Sequence, residues 1–201
     1  MIGFAFLAAA AGAIAMPEYN TRRVVQSYPT WAVEEEKSTA AVISYWVDPK
    51  GRVYDCQLLA NIGDRKLAGE VCGLVRRVKM RPAVDADAMP ITAHVVTMIR
   101  LFVPGTQQAQ DVAKAKMEAD FVLEVNNLPS EVGETYVSTV ISRVDRNGQV
   151  VECYGNELGH AVMDKLACEQ ISHSKLPIGK DRKGQPVDYI TTIQIEFVTK
   201  P

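Results

Sequence analysis

WVDPKGRVYDC, residues 46–56, and RVDRNGQVVEC, residues 143–153, are two versions of one phrase. In each, a run rich in β-branched and aromatic residues reaches an aspartate, a glycine follows three positions on, a second such run begins, and a cysteine closes the stretch. Aspartate opens a tight turn, Pro49 presets φ in the first copy, and glycine takes the left-handed position where a bulge forms. Each phrase therefore predicts a β-hairpin. In the first, Ala41 to Val47 places Ile43, Tyr45 and Val47 on one face of a strand, and Val53 to Leu59 is its partner. In the second, Tyr136 to Val144 and Val150 to Tyr154 take these places.

After each hairpin the apolar period lengthens from two to about 3.6. Leu67, Val71, Leu74, Val75 and Val78 share one face of a helix that starts at Asp64, a residue suited to cap it. Met163, Leu166, Ala167 and Ile171 repeat the stripe. Pro82 and Pro177 stop the two helices. A last strand completes each unit, Ile91 to Val103 and Val187 to Val198. The latter alternates between a dry face of Val187, Tyr189, Thr191, Ile193, Ile195 and Phe197 and a wet face of Asp188, Thr192, Gln194 and Glu196.

The predicted class is α+β: two tandem small domains, each strand-strand-helix-strand with the helix packed on an antiparallel sheet. The boundaries are residues 26–103 and 136–201, with 104–135 between them as a linker in which residues 105–120 have helical composition and Phe121 to Val125 can add a strand. A unit of about 65 residues buries only about 60% of its unfolded surface and is marginal alone.

The four cysteines bear on that marginality. Cys56 and Cys72 fall in the first copy, Cys153 and Cys168 in the second, at nearly equal spacing. Four cysteines allow three pairings, and a symmetric duplication most simply closes each pair within its own copy. Zinc is the rival, at a spacing longer than zinc sites use, and free buried thiols are the third reading.

The chain opens with an apolar run ended by Ala13-Ile14-Ala15, the small-x-small pattern cut by signal peptidase. This predicts a leader of residues 1–15, cleavage between Ala15 and Met16, and export. The run has no basic residue ahead of it, so an anchor or a core helix are the alternatives. As a helix at 1.5 Å per residue it spans roughly 22 Å, short of a bilayer core of roughly 30 Å.

With 22 basic and 24 acidic residues the net charge is −2, which gives no bulk attraction to nucleic acid or anionic lipid. The densest charge, Arg76, Arg77, Lys79 and Arg81, complements a helix C-terminus. Glu34 to Glu36 reads as an exposed helix start. His94, His160 and His173 are scattered, with no acid or nucleophile at useful sequence spacing, and neither cysteine pair has redox Cys-x-x-Cys spacing. No catalytic, metal or cofactor residue is assigned, and the chain is expected not to be an enzyme.

Taken as a set, Tyr28-Pro29, Val47-Asp48-Pro49-Lys50-Gly51-Arg52-Val53, Ile62-Gly63-Asp64 through Leu67, and Arg76-Arg77 to Arg81-Pro82-Ala83 resemble the C-terminal domain of TonB, the periplasmic end of the energy transducer of Gram-negative bacteria. The resemblance covers Gln26 to Val103 and recurs more faintly from Tyr136 to Val198, through Asp145, Gly148, Val150, Cys153, Cys168, Pro177 and Gln185-Pro186. The cysteine pairs resemble a disulfide-bearing subset of that family. What the resemblance implies is a periplasmic module for transport across the outer membrane, whose partner is a protein such as an outer-membrane receptor, bound through an extended peptide added to a sheet edge. Departures stand beside it. Met80 replaces the aromatic residue expected before Arg-Pro, the second copy has Leu128-Pro129 for Tyr-Pro, and no Pro-rich spacer is present. Two alternatives are self-association through sheet edges, and a membrane-anchored transducer whose true start lies upstream.

Overall fold

The protein is described by a computed structural model covering residues 14–18, 27–155 and 159–200. Its described elements run in chain order as α1 (Thr30–Glu34), β1 (Thr39–Val47), β2 (Val53–Gly63), α2 (Arg65–Arg76), β3 (Ala83–Val84), β4 (Pro90–Leu101), α3 (Gln107–Lys114), β5 (Phe121–Val125), β6 (Thr135–Val144), β7 (Val150–Gly155), α4 (Ala161–Ile171) and β8 (Tyr189–Thr199). The class is α+β.

Both hairpins form as read. Asp48 Oδ1 accepts from the amides of Lys50 and Arg52, and Asp145 Oδ1 from those of Asn147 and Gln149. Gly51 and Gly148 lie at φ +74° and +85°. Each turn also clamps the chain that leaves the following helix. Met80 N–H donates to Gly51 O at 2.9 Å, and Leu176 N–H to Gly148 O at 2.8 Å. Met80 is thereby buried under the hairpin, which gives the residue before Arg81-Pro82 a packing role.

Asp64 caps α2 by accepting from Leu67 N–H at 2.8 Å, and the whole stripe from Leu67 to Val78 is buried. In α4, Met163, Ala167 and Ile171 are buried on the repeated stripe, with Leu166 packed beside them. Disulfides Cys56–Cys72 and Cys153–Cys168 tie each helix to the second strand of its hairpin, with Cα atoms 5.6 and 5.5 Å apart. All four sulfurs are thus committed to one another, not to a metal.

The halves join through their last strands. One mixed sheet runs β2-β1-β4-β8-β6-β7, with β3 on β4 and β5 on β8. At the seam β4 and β8 are parallel, Thr92 to His94 facing Tyr189 to Thr191, and β5 then takes over the same edge of β8 from Ile195 to Thr199. Residues 104–135, read as a linker, therefore supply α3 and a sheet strand.

Parallel pairing at a seam between repeated units has a geometric consequence. A two-fold operation that superposes β4 on β8 without reversing it must lie along the strands, and it turns the sheet over. The side chains obey this. Ile190, opposite Ala93, joins the core beneath α2, while Ile193, Ile195 and Phe197, on the other face of β8, form the core beneath α4. So α2 and α4 cover opposite faces of one sheet. The wet face expected for the last strand is consequently dry at Ile190, where the first half packs on it.

Two further corrections concern the first half. Glu34 to Glu36 is exposed but stands at the end of α1, with Glu36 at φ +53°, rather than at a helix start. The leader falls mostly outside the described residues. Of its assigned cleavage site, Ala15 exchanges two backbone hydrogen bonds with Val84 at 2.9 and 3.0 Å, Ile14 is buried in the first core, and Met16 packs against it.

Candidate interaction surfaces

Strand order decides which backbone groups are available to a partner. In an antiparallel ladder a strand flanked on both sides has no free N–H or C=O row, whereas an outer strand presents one along its length. Among the described residues, the strands at the two ends of the main sheet path are β2 and β7. β7 is short. β2 has eleven residues, and its second half is largely exposed, with the apolar side chains of Leu58, Leu59 and Ile62 in solvent. Leu59 is the extra residue of a bulge, since Val42 faces Ala60 while Ile43 faces Leu58. Asp55 is the one charged side chain along β2, so the edge lacks the lysines and prolines that commonly blunt such strands.

The last strands are differently placed. β4 carries β1 from Ala93 to Leu101 on one side and β8 from Thr92 to His94 on the other. From Val95 onward β4 and β8 diverge, leaving a cleft of about 420 Å³ reached by Met16, Met98, Arg100 and Met117.

The basic run does not gather into a patch. Arg76 donates to Cys56 O at 3.2 Å, Arg77 caps α2, and Arg81 pairs with Glu18 at 3.4 Å, both largely in water. Of the histidines, His160 precedes α4 and bonds Glu131 at 3.1 Å, and His173 follows that helix.

His94 is the exception. It lies on β4 at the seam with Nε2 2.7 Å from Ser44 Oγ, its ring 4.6 Å from Trp46 and edge-on to Tyr189 at 6.4 Å. Burial lowers its pKa to about 4, against a smaller opposing pull from Asp55, so the ring is neutral at pH 7. The serine and histidine lie fifty residues apart in the chain, so only their neighbouring strands bring them together.

Around this pair the second half folds over the first. Tyr54 O–H donates to Lys180 O at 2.6 Å, and Arg182 lies 3.6 Å from Asp48. Tyr189 O–H donates to Pro177 O at 2.8 Å, and burial pushes that phenol up to about 12. The reach from Asp181 to Gln185 is itself a turn like the two hairpins, Asp181 Oδ1 accepting from Lys183 and Gln185. Its counterpart is Asp85, accepting from Asp87 and Met89. The shared Pro, Asp and Pro of residues 82–90 and 177–186 carried this second repeat in the sequence.

Comparison with known families agrees with this geometry. Residues 24–101 match the family model described as Gram-negative bacterial TonB protein C-terminal. Over this stretch the chain is similar to the TonB C-terminal family. The matched stretch comprises α1, β1, β2, α2, β3 and β4 to its last residue, Leu101. The second half repeats its strand-strand-helix-strand part, as β6, β7, α4 and β8, outside the matched residues. No curated protein and no solved structure matches the chain. Among the described residues no helix is long and apolar enough to cross a membrane.

Proposed function

We propose that this protein is an exported, periplasmic protein-binding module in which two TonB C-terminal-like units, each pinned by its disulfide, recognise an extended peptide by strand addition. The observation that carries this reading is the open edge of β2, long, weakly charged and flanked by exposed Leu58, Leu59 and Ile62. A partner strand there would satisfy the β2 backbone and cover those side chains. The family of the first half suggests the partner class, an extended segment of an outer-membrane receptor, and a link to energy-dependent transport.

The chain is proposed to catalyse no reaction. The Ser44–His94 pair invites comparison with a nucleophile and its base, but both residues lie in strands flanked on both sides at that point, so their amides are committed to ladders and cannot form an oxyanion hole. A ring with a pKa near 4 is also a weak base at neutral pH.

The test is hydrogen exchange of the oxidised, mature protein with and without extended peptides from outer-membrane receptors. Protection of β2 amides, abolished by Leu59→Pro without loss of the fold, supports strand addition. Saturable binding that leaves β2 unprotected overturns it. A second reading, self-association through sheet edges, is favoured by the seam itself, where the two halves already pair strand to strand. Light scattering separates the two: a closed oligomer with protected β2 supports assembly, a monomer supports peptide recognition.

A further inference from the structure

The seam holds a second feature, distinct from any sheet edge. Asp55, Trp46, His94 and Thr191 are register partners across β2, β1, β4 and β8, so their side chains form one row on the face opposite α2. This row is the floor of a cavity of about 440 Å³, within the range of small-molecule sites. Asp120, Phe121, Leu176, Pro177 and Tyr189 also line it.

The lining has a definite chemical sign. Three aromatic residues, Trp46, Phe121 and Tyr189, face it; two carboxylates, Asp55 and Asp120, border it; among the described residues no lysine or arginine does. His94 adds no positive charge at neutral pH because it is buried as the neutral ring. Asp120 is held in place, one carboxylate oxygen accepting from Gln194 N–H at 2.8 Å. The neighbouring cavity across Trp46 differs: Arg76, Lys180 and Arg182 stand there opposite Asp55 and Asp181, and charge selects no ligand.

We propose that the cavity floored by Asp55, Trp46, His94 and Thr191 binds a small organic cation, a primary or quaternary ammonium carried on an apolar body. The ammonium sits between Asp55 and Asp120, against aromatic faces that attract it through their quadrupoles, and the apolar body replaces water along Val96, Ile193 and Pro177. Both halves contribute walls, so the site exists only when the seam is closed. The site is independent of strand addition at β2, since it uses side chains on the sheet face and not the backbone of the edge.

The experiment uses the full mature chain with disulfides intact and three probes of one shape: phenethylammonium, 2-phenylethanol and 3-phenylpropionate. Binding is followed by calorimetry and by Trp fluorescence in a Trp31→Phe background, which leaves Trp46 as the sole indole. The expected result is saturable binding of the ammonium, about tenfold or more tighter than the alcohol, with the carboxylate weakest. Asp55→Asn should weaken the preference for cation over alcohol severalfold while leaving the denaturation midpoint unchanged, and adding Asp120→Asn should abolish it. Equal binding of all three probes, no saturation by the ammonium, or an unchanged preference in Asp55→Asn would each overturn the proposal.

Discussion

The amide of Met80 donates to the carbonyl oxygen of Gly51, and the carbonyl of Met80 fills the space that a Cβ on Gly51 would need. The hairpin turn and the exit of helix α2 are therefore one structural unit, and Leu176 and Gly148 repeat the arrangement in the second half. At both glycines φ is positive, so a side chain meets strain and overlap with backbone together.

Gly51→Ala and Gly148→Ala should each cost about 2 kcal/mol or more. Gly105→Ala is the control. It also has positive φ, at +91°, but nothing lies near its Cβ position, so it should cost about 1 kcal/mol. Urea denaturation of the three variants gives the ranking. Equal losses at Gly51 and Gly105 would mean that the Met80 clamp is unimportant.

Ala88 occupies the place in the first half that Gly184 takes in the second, and it lies at φ +59°. Ala88→Gly should relieve left-handed strain of about 1–2 kcal/mol. The added freedom of the unfolded chain offsets about 0.4–1 kcal/mol of that. A net gain of up to about 1 kcal/mol in thermal or urea stability is the expected outcome.

His94 makes stability depend on pH. Its pKa falls from 6.5 to about 4 on folding, so between these values the unfolded chain binds the proton and the folded chain does not. Stability is complete above about pH 6.5 and declines as pH falls towards 4, by about 3 kcal/mol if the shift is fully expressed. His94→Gln should flatten this part of the profile, as read from urea midpoints at pH 7, 5.5 and 4.5.

Cys56→Ala opens a loop of 16 residues between β2 and α2. The expected loss is about 3 kcal/mol under oxidising conditions. The corresponding Cys153→Ala opens one of 15 and should cost about the same. Under reducing conditions each variant should approach the reduced parent. A wild-type midpoint that does not change on reduction would show that the disulfides constrain nothing in the unfolded state.

Both hairpins, both helices and both cysteine pairs were legible in the chain because they rest on local chemistry: an aspartate and a glycine three residues apart, a change of apolar period, a capping Asp64, a proline after each helix. Such signals act within a few residues and repeat with the sequence. The joining of β4 to β8, the placing of α2 and α4 on opposite faces, the free edge of β2, and the meeting of Ser44, His94, Trp46 and Asp55 were decided by tertiary structure alone. The physical reason is that strand order depends on which edges meet, and an edge is made of backbone groups that every sequence carries. Ile190 and Val198 are the apolar residues on a face otherwise polar, and of these Ile190 packs in the core of the first half at the seam. The sequence specified one local pattern twice; the parallel contact of β4 and β8 joined the copies in one sheet and made the surface between them.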